Sequence, residues 1–421
     1  MIIELVNTGS ELMLGRVLNT HQQWLCRQLA DLGYVVSRQV AVPDTGADIQ
    51  LAVRESLSRA DLVITTGGLG PTSDDLTRDL IAQMLGRELR ENAEVLAHIS
   101  QFFTVRQRRM PERTRVQALV PEGAVVLSNP NGTAPGLALE VGPDLFRPGK
   151  GSWLIMLPGP PRELRPMFKD AVVPLLRQFL PLDAPFVCRT LRATGLGESV
   201  VEERVSGPLD PLVARGLQIG YCARPGQVDV RLAAHNTNAE GIVAEAAAIV
   251  QKQLGKFLYS DGEEEIEATI VELLTARKLT LAVAESCTGG CIANRLTNVP
   301  GASAIFLAGL VTYSNAAKHK FLGVREQTLE ANGAVSEAVA REMAEGACNQ
   351  TGARYALSVT GIAGPGGGSE AKPVGTVFIG LAGPEKTIVE RMFNPFDRET
   401  FKQVTAQQAL DLLRRNLPPA Q

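Results

Sequence analysis

A serine in the segment Glu285-Ser286-Cys287-Thr288-Gly289-Gly290 is the residue of this 421-residue chain whose setting best suits nucleophilic chemistry. The apolar run Thr280–Ala284 precedes it and a helix-like Cys291–Leu296 follows, so the order is strand, tight turn, helix. A hydroxyl on such a turn stands at a sheet edge beside the unpaired N–H groups of a helix N-terminus, which can stabilise an oxyanion. The plainer alternative is that Ser286 or Thr288 caps the helix and the glycines only permit the turn. Downstream, Leu307–Lys318 reads as a strand ending in polar groups. There Tyr313 fits an interfacial aromatic and Lys318 a solvated helix residue, whereas a lysine beside a serine can take its proton once burial lowers the lysine pKa. A third segment, Ser358–Ser369, is dense in glycine, including Gly361 and Gly364, and suits either a phosphate or a disordered lid.

A different chemistry is suggested near the other end of the chain. Gly67, Gly68, Gly70 and Thr72 form a glycine-rich loop before Asp74 and Asp75, and Ser10 and Glu11 occupy the corresponding loop after the first strand. Glycines let backbone N–H groups approach a phosphate, and carboxylates hold the hard cation that accompanies phosphate chemistry. Alternatively, Ser73 or Asp74 caps a helix and Asp75 complements its dipole.

Strand-like Ile2–Thr8, Tyr34–Val42 and Asp61–Thr66 alternate with helix-like Asn19–Leu32 and Asp48–Ser58, which predicts a parallel, doubly wound α/β sheet with ligands at the carboxyl ends of its strands. The basic run Arg106–Arg109 ends a predicted helix and reads as a solvated terminus. From about Leu182 the pattern becomes a small α+β module with strands Phe186–Ala193, Leu217–Cys222 and Val228–Ala233 and helices Glu198–Val205 and Ala239–Leu254. Its Gly195-Leu196-Gly197-Glu198 turn is like the GXXG turn of KH-like modules, but no basic cluster surrounds it, so no nucleic-acid binding is expected. A linker is predicted at Phe257–Gly262 before a last α/β domain. The expected domains are 1–172, 182–256 and 263–421.

Composition excludes several function classes. A hydrophobic share of 45% supports several packed cores, and a net charge of -3 with interspersed signs leaves no footprint for nucleic acid or a membrane surface. Six cysteines without a CxxC pair fit reduced thiols better than disulfides or structural zinc. No basic leader is read at Met1–Val6, and no apolar run approaches the ~20 residues that span a bilayer. A cytoplasmic protein acting on small molecules, and a homodimer, are expected.

The motifs GSELMLG, TTGGLGPTSDDLT, SNPNGTAPG and LPGPPREL together resemble the molybdopterin-binding-like N-terminal domain of the competence/damage-inducible CinA family. The resemblance implies metal-dependent hydrolysis of ADP-ribose to AMP and ribose 5-phosphate. It makes Glu11, Asp74 and Asp75 ligands of a divalent metal, and Ser10, Gly67, Gly68, Gly70 and Thr72 substrate contacts. Ser10 stands where threonine is common. In the same family a KH-type domain occupies the middle of the chain. AESCTGG, GLVTYSNAAK and TGIAGPGGGSEAKPVGTV resemble the CinA C-terminal domain, a nicotinamide mononucleotide (NMN) amidohydrolase family that needs no metal. Carried over by motif, Ser286 is the nucleophile, Tyr313 and Lys318 activate it, and Thr288, Gly289, Gly290, Asn315, Gly361 and Gly364 contact substrate, with the Gly289 and Gly290 amides expected to form the oxyanion hole. The rivals are a non-catalytic nucleotide- or pterin-binding scaffold tied to competence and, for the N-terminal half, a pterin-binding synthase.

Overall fold

The computed structural model describes residues 1–418. Residues 419–421, the end of the expected third domain, lie outside the described residues. Two compact units divide the chain, Met1–Val187 and Cys188–Gln421.

In the first unit, β1 (Ile3–Thr8), β2 (Val36–Val42) and β3 (Leu62–Thr66) are followed by a small antiparallel ribbon of β4 (Leu89–Glu91) and β5 (Leu119–Pro121), and then by β6 (Val125–Leu127), β7 (Gly136–Val141) and β8 (Ser152–Leu157). The main sheet has the order β2-β1-β3-β8-β7-β6. Side-chain alternation explains its layers. Ile3, Leu5, Leu62 and Ile64 join the core of helix Thr20–Asp31, whereas Val6 and Val63 join the core of helix Gly46–Leu57 on the opposite face. The expectation of a wholly parallel sheet needs correction, because β7 runs antiparallel to both of its neighbours. Its connections to β6 and β8 contain no helix, and a parallel return requires such a crossover.

β9 (Phe186–Thr194), which begins at the boundary between the units and leads into the second, is followed by β10 (Leu217–Arg224), β11 (Gln227–His235) and β12 (Leu258–Asp261), in the order β10-β11-β9-β12. The expected linker Phe257–Gly262 is therefore largely a strand, with Leu258 opposite Ala193 and Ser260 opposite Arg192. The helix expected to stop at Val205 continues to Val213 through Pro208 and Pro211. Buried Val201, Val205, Leu209 and Leu212 form one face along its whole length, and that packing outweighs the two missing donors. At the expected GXXG turn, Glu198 accepts the Ala223 amide at 3.1 Å.

The rest of this unit contains β13 (Leu281–Glu285), β14 (Phe306–Val311), β15 (Tyr355–Gly361), β16 (Thr376–Ala382) and β17 (Thr387–Phe393), ordered β14-β13-β15-β16-β17. β13 is parallel to both neighbours, while β16 and β17 are antiparallel additions. Leu281 and Val283 pack with helices Ile266–Ala276 and Arg398–Asn416 on one face. Ala282 and Ala284 pack on the other with Val339, Met343 and Ala347 of helix Glu337–Thr351. Arg192 and Arg224 both pair with Glu265, at 2.7 and 2.9 Å, which ties the small sheet to the start of this domain. No helix among the described residues is long and apolar enough to cross a membrane.

Candidate active site

Parallel pairing of β13 with β14 sets Glu285 opposite Val311, so the residues that follow each strand emerge at one sheet edge. Ser286 follows the first strand. After the second, Ser314 caps helix Asn315–Leu322 by accepting the Ala317 amide, and that helix turns Lys318 back into the protein. Lys318 is only 1% exposed. Its Nζ lies 3.0 Å from Ser286 Oγ and donates to the carbonyls of Thr312 at 2.9 Å and Tyr313 at 3.3 Å. A neutral amine has two protons and one lone pair. With both protons on carbonyls, the lone pair is left for the serine hydroxyl. Burial pulls the Lys318 pKa below the ordinary lysine value, against a smaller opposing pull from Cys287, and so favours the neutral form. The neighbouring Cys287 is a poor competitor as nucleophile, because burial pushes its thiol up to about 12.

The turn itself is held by Glu285, which is fully buried. Its carboxylate accepts the amides of Gly290 at 3.0 Å, Ile292 at 3.1 Å and Ala293 at 2.9 Å. Gly289 donates to the Ser286 carbonyl at 3.2 Å. The expected oxyanion hole of Gly289 and Gly290 amides is thus corrected, since both donors already have partners. Neither Ser286 nor Thr288 caps the short helix Cys291–Thr297 in the usual way either; Glu285 reaches its first amides from the end of the preceding strand. Gly290 has φ +94°, a conformation that β-carbon-bearing residues resist.

Ser286, Lys318, Tyr313, Thr360, Gly361 and Arg398 are among the residues around a pocket of about 190 Å³. Tyr313 is 62% exposed, and its hydroxyl accepts from Arg398 at 3.0 Å, so the phenol turns to the arginine rather than to the serine and lysine. What reaches Lys318 is the Tyr313 backbone carbonyl. Gly364 contributes a carbonyl that accepts from Arg398 at 2.9 Å. Asn315 is exposed and Thr288 fully buried, and neither lines the pocket; nor do Gly289 and Gly290. Arg398 was not singled out from the sequence. Its only local signal is its place after Asp397, whose side chain caps the last helix and thereby fixes where the guanidinium begins.

At the carboxyl edge of the first unit's sheet, a cavity of about 380 Å³ is lined by Glu11, Gly67, Gly68, Gly70, Asp74 and Asp75, together with Asp44, Gln117 and Glu163, which the sequence reading did not single out. Gly68 has φ +68°, and a β-carbon there would collide with the Thr77 hydroxyl, so the loop backbone itself forms the wall. The following helix begins at Thr77 with no side-chain cap, so Asp74 and Asp75 belong to the preceding turn and not to a helix start. Asp75 accepts the amide and hydroxyl of Thr72, which ties the carboxylate back onto its own turn. Ser10 donates its amide to Asp44 at 2.8 Å, and its hydroxyl accepts the Asp44 amide at 3.1 Å. Ser10 and Thr72 therefore pin the loops and do not line the cavity. Glu163 is buried and accepts from Asn129 at 2.9 Å. The oxygen-only donor set suits a hard cation. Among the described residues, however, no three His, Cys, Asp or Glu side chains gather closely enough to form a metal cluster.

Three family models match consecutive parts of the chain: "Probable molybdopterin binding domain" over residues 4–178, "Damage-inducible protein CinA KH domain" over 188–260 and "CinA C-terminal domain" over 263–417. A putative competence-damage inducible protein of Caldicellulosiruptor bescii is 42% identical over 99% of both chains. The chain belongs to the CinA family. A CinA-like protein of Akkermansia muciniphila is 44% identical over 97% of this chain and 95% of its own. The crystal structure of a competence/damage inducible protein from Agrobacterium tumefaciens is 41% identical and covers 36% of this chain and 94% of its own, with a TM-score of 0.35. CinA membership accounts for the order of the three domains, the KH-like one in the middle.

Proposed function

We propose that this CinA-family chain is a bifunctional hydrolase of pyridine nucleotide salvage. Its C-terminal domain converts NMN and water to nicotinic acid mononucleotide and ammonia. The observation that carries this reading is the buried Lys318 amine 3.0 Å from Ser286 Oγ, with its protons directed to two carbonyls. Lys318 takes the Ser286 proton as Oγ bonds to the carboxamide carbon. It then passes that proton to the leaving nitrogen, and ammonia departs from an acyl-serine. Water, deprotonated by the same amine, cleaves the ester and restores the hydroxyl. Arg398 supplies positive charge beside a substrate that carries phosphate. The pocket is smaller than the ~300 Å³ at the lower end of typical ligand sites, which suits the carboxamide ring with the ribose phosphate outside.

The N-terminal domain cleaves the diphosphate of ADP-ribose. Its glycine loop offers backbone to phosphate, and Glu11, Asp74 and Asp75 would hold a divalent cation completed by ligand oxygens. Such a cation would neutralise charge on the diphosphate. The match of residues 4–178 to a probable molybdopterin binding model supports a second reading, a pterin in the same cavity. Ammonia release from NMN and AMP release from ADP-ribose, measured on the purified full chain, test both halves separately. A chain that yields no ammonia from NMN refutes the deamidase, and one that binds a pterin but yields no AMP favours the second reading.

A further inference from the structure

Among the described residues, Gln117 Oε1 is a buried oxygen without a hydrogen-bond partner, and its side chain, 2% exposed, lines the N-terminal cavity. The residue sits in the turn Glu112–Ala118, whose backbone is held from outside by Arg78 donating to the Val116 carbonyl at 2.6 Å. Its Nε2 donates to the Leu69 carbonyl at 3.2 Å. That bond settles the amide's orientation, because exchanging nitrogen and oxygen would set two acceptors against each other. The free end is therefore an acceptor, and it is fastened to the middle of the glycine loop. An unmet buried acceptor is costly, and because Gln117 is one of the residues lining the cavity, its oxygen calls for a donor from a ligand bound there.

We propose that Gln117 is the specificity-determining residue of the N-terminal cavity, where Oε1 accepts a hydrogen bond from an O–H or N–H group on the nucleoside part of a diphosphate ligand. The inference rests on the reading of this cavity as a diphosphate site. Ionised phosphate oxygens are acceptors and gain nothing from Gln117, whereas a sugar hydroxyl or an exocyclic base amine supplies the missing donor. The site thereby separates nucleoside diphosphates from inorganic pyrophosphate, which the glycine loop and carboxylates alone would not do. Rejecting a ligand that lacks the matching donor is the stronger form of discrimination, because the protein's own polar atom is then left buried and unpaired.

The test uses the full-length chain at a fixed divalent-cation concentration, with calorimetric dissociation constants for wild type and Gln117→Met. The probes are pyrophosphate, the uncleavable methylene-bridged analogue of ADP-ribose, and forms of that analogue lacking one ribose hydroxyl or the adenine amino group. Gln117→Met is expected to weaken the parent analogue about tenfold and to leave pyrophosphate unchanged, which also reports that the cavity is intact. One of the truncated analogues should lose the same factor on wild type and nothing more on the variant, and its identity tells whether sugar or base is the donor. Equal weakening of analogue and pyrophosphate, weakening of neither, or truncated analogues that all bind wild type like the parent would overturn the proposal. A wild-type chain that shows the expected pattern but never cleaves ADP-ribose would remove the hydrolase reading and leave the role of Gln117 standing. A chain that binds the analogue no better than pyrophosphate removes the inference whatever its turnover.

Discussion

In the Ser286 pocket the reacting groups touch one another: Lys318 Nζ is 3.0 Å from the hydroxyl, its protons point to two carbonyls, and Glu285 grips the turn through three amides. Around the N-terminal cavity, Glu11, Asp44, Asp74, Asp75 and Glu163 share a wall without forming a close cluster. On the proposed reading, the first site carries its base, its nucleophile and its scaffold in the chain. The second gathers carboxylates, and on the proposed diphosphate reading that negative charge would require cations to arrive with the substrate. The lesson is that preorganisation by hydrogen bonds and readiness for an ion leave different marks: a hydroxyl and an amine already in contact on a gripped turn in one place, dispersed acids along a cavity wall in the other.

The largest expected effect breaks one side of this contrast. Ser286→Ala should lower ammonia release from NMN by roughly a thousandfold or more, while cleavage of ADP-ribose continues unchanged because the two sites belong to separate compact units. Chelation should do the reverse, removing most AMP release from ADP-ribose and leaving deamidation intact; an ADP-ribose activity indifferent to thorough metal removal would contradict the ion-dependent reading. Glu285→Gln sets an amide N–H2 against backbone donors that now meet a carboxylate. A loss of about 2 kcal/mol in folding stability is expected, with kcat falling more than KM changes, measurable by denaturant unfolding and NMN kinetics. The smallest effect is predicted for Tyr313→Phe, which removes only the bond to Arg398. It should cost less than about tenfold in kcat/KM, and a far larger loss would return the phenol to the proton path.

Much of the architecture could be read from hydrophobic periodicity, including the helix Ala239–Leu254 with its residues in place. The failures have identifiable causes. Pro208 and Pro211 are local breakers, but four buried aliphatic residues keep their helix together. Leu258–Asp261 is short, and its strand character comes only from pairing with β9, a partner more than sixty residues away. At the serine site, the residue types were legible and their meeting was not. Ser286 and Lys318 are 32 positions apart and come together only because two parallel strands deliver them to one edge. Glu285 reads as the end of an apolar run, and nothing local announces that its carboxylate holds the turn. Arg398, 85 residues beyond Tyr313, and Gln117, in the 3-10 helix Glu112–Ala118, meet their partners only through tertiary packing.

The pH dependence of kcat/KM for NMN tests the central claim, that a neutral buried Lys318 activates Ser286, most directly. Because burial lowers the Lys318 pKa, the amine loses its proton on the acid side of the ordinary lysine value of about 10.4. Falling pH protonates it and removes the base. The account predicts a rate that rises with pH through a single ionisation displaced to the acid side of that value, and the loss of this limb in Lys318→Met. A profile that climbs only through the ordinary lysine range, or an unchanged limb in Lys318→Met, would contradict it.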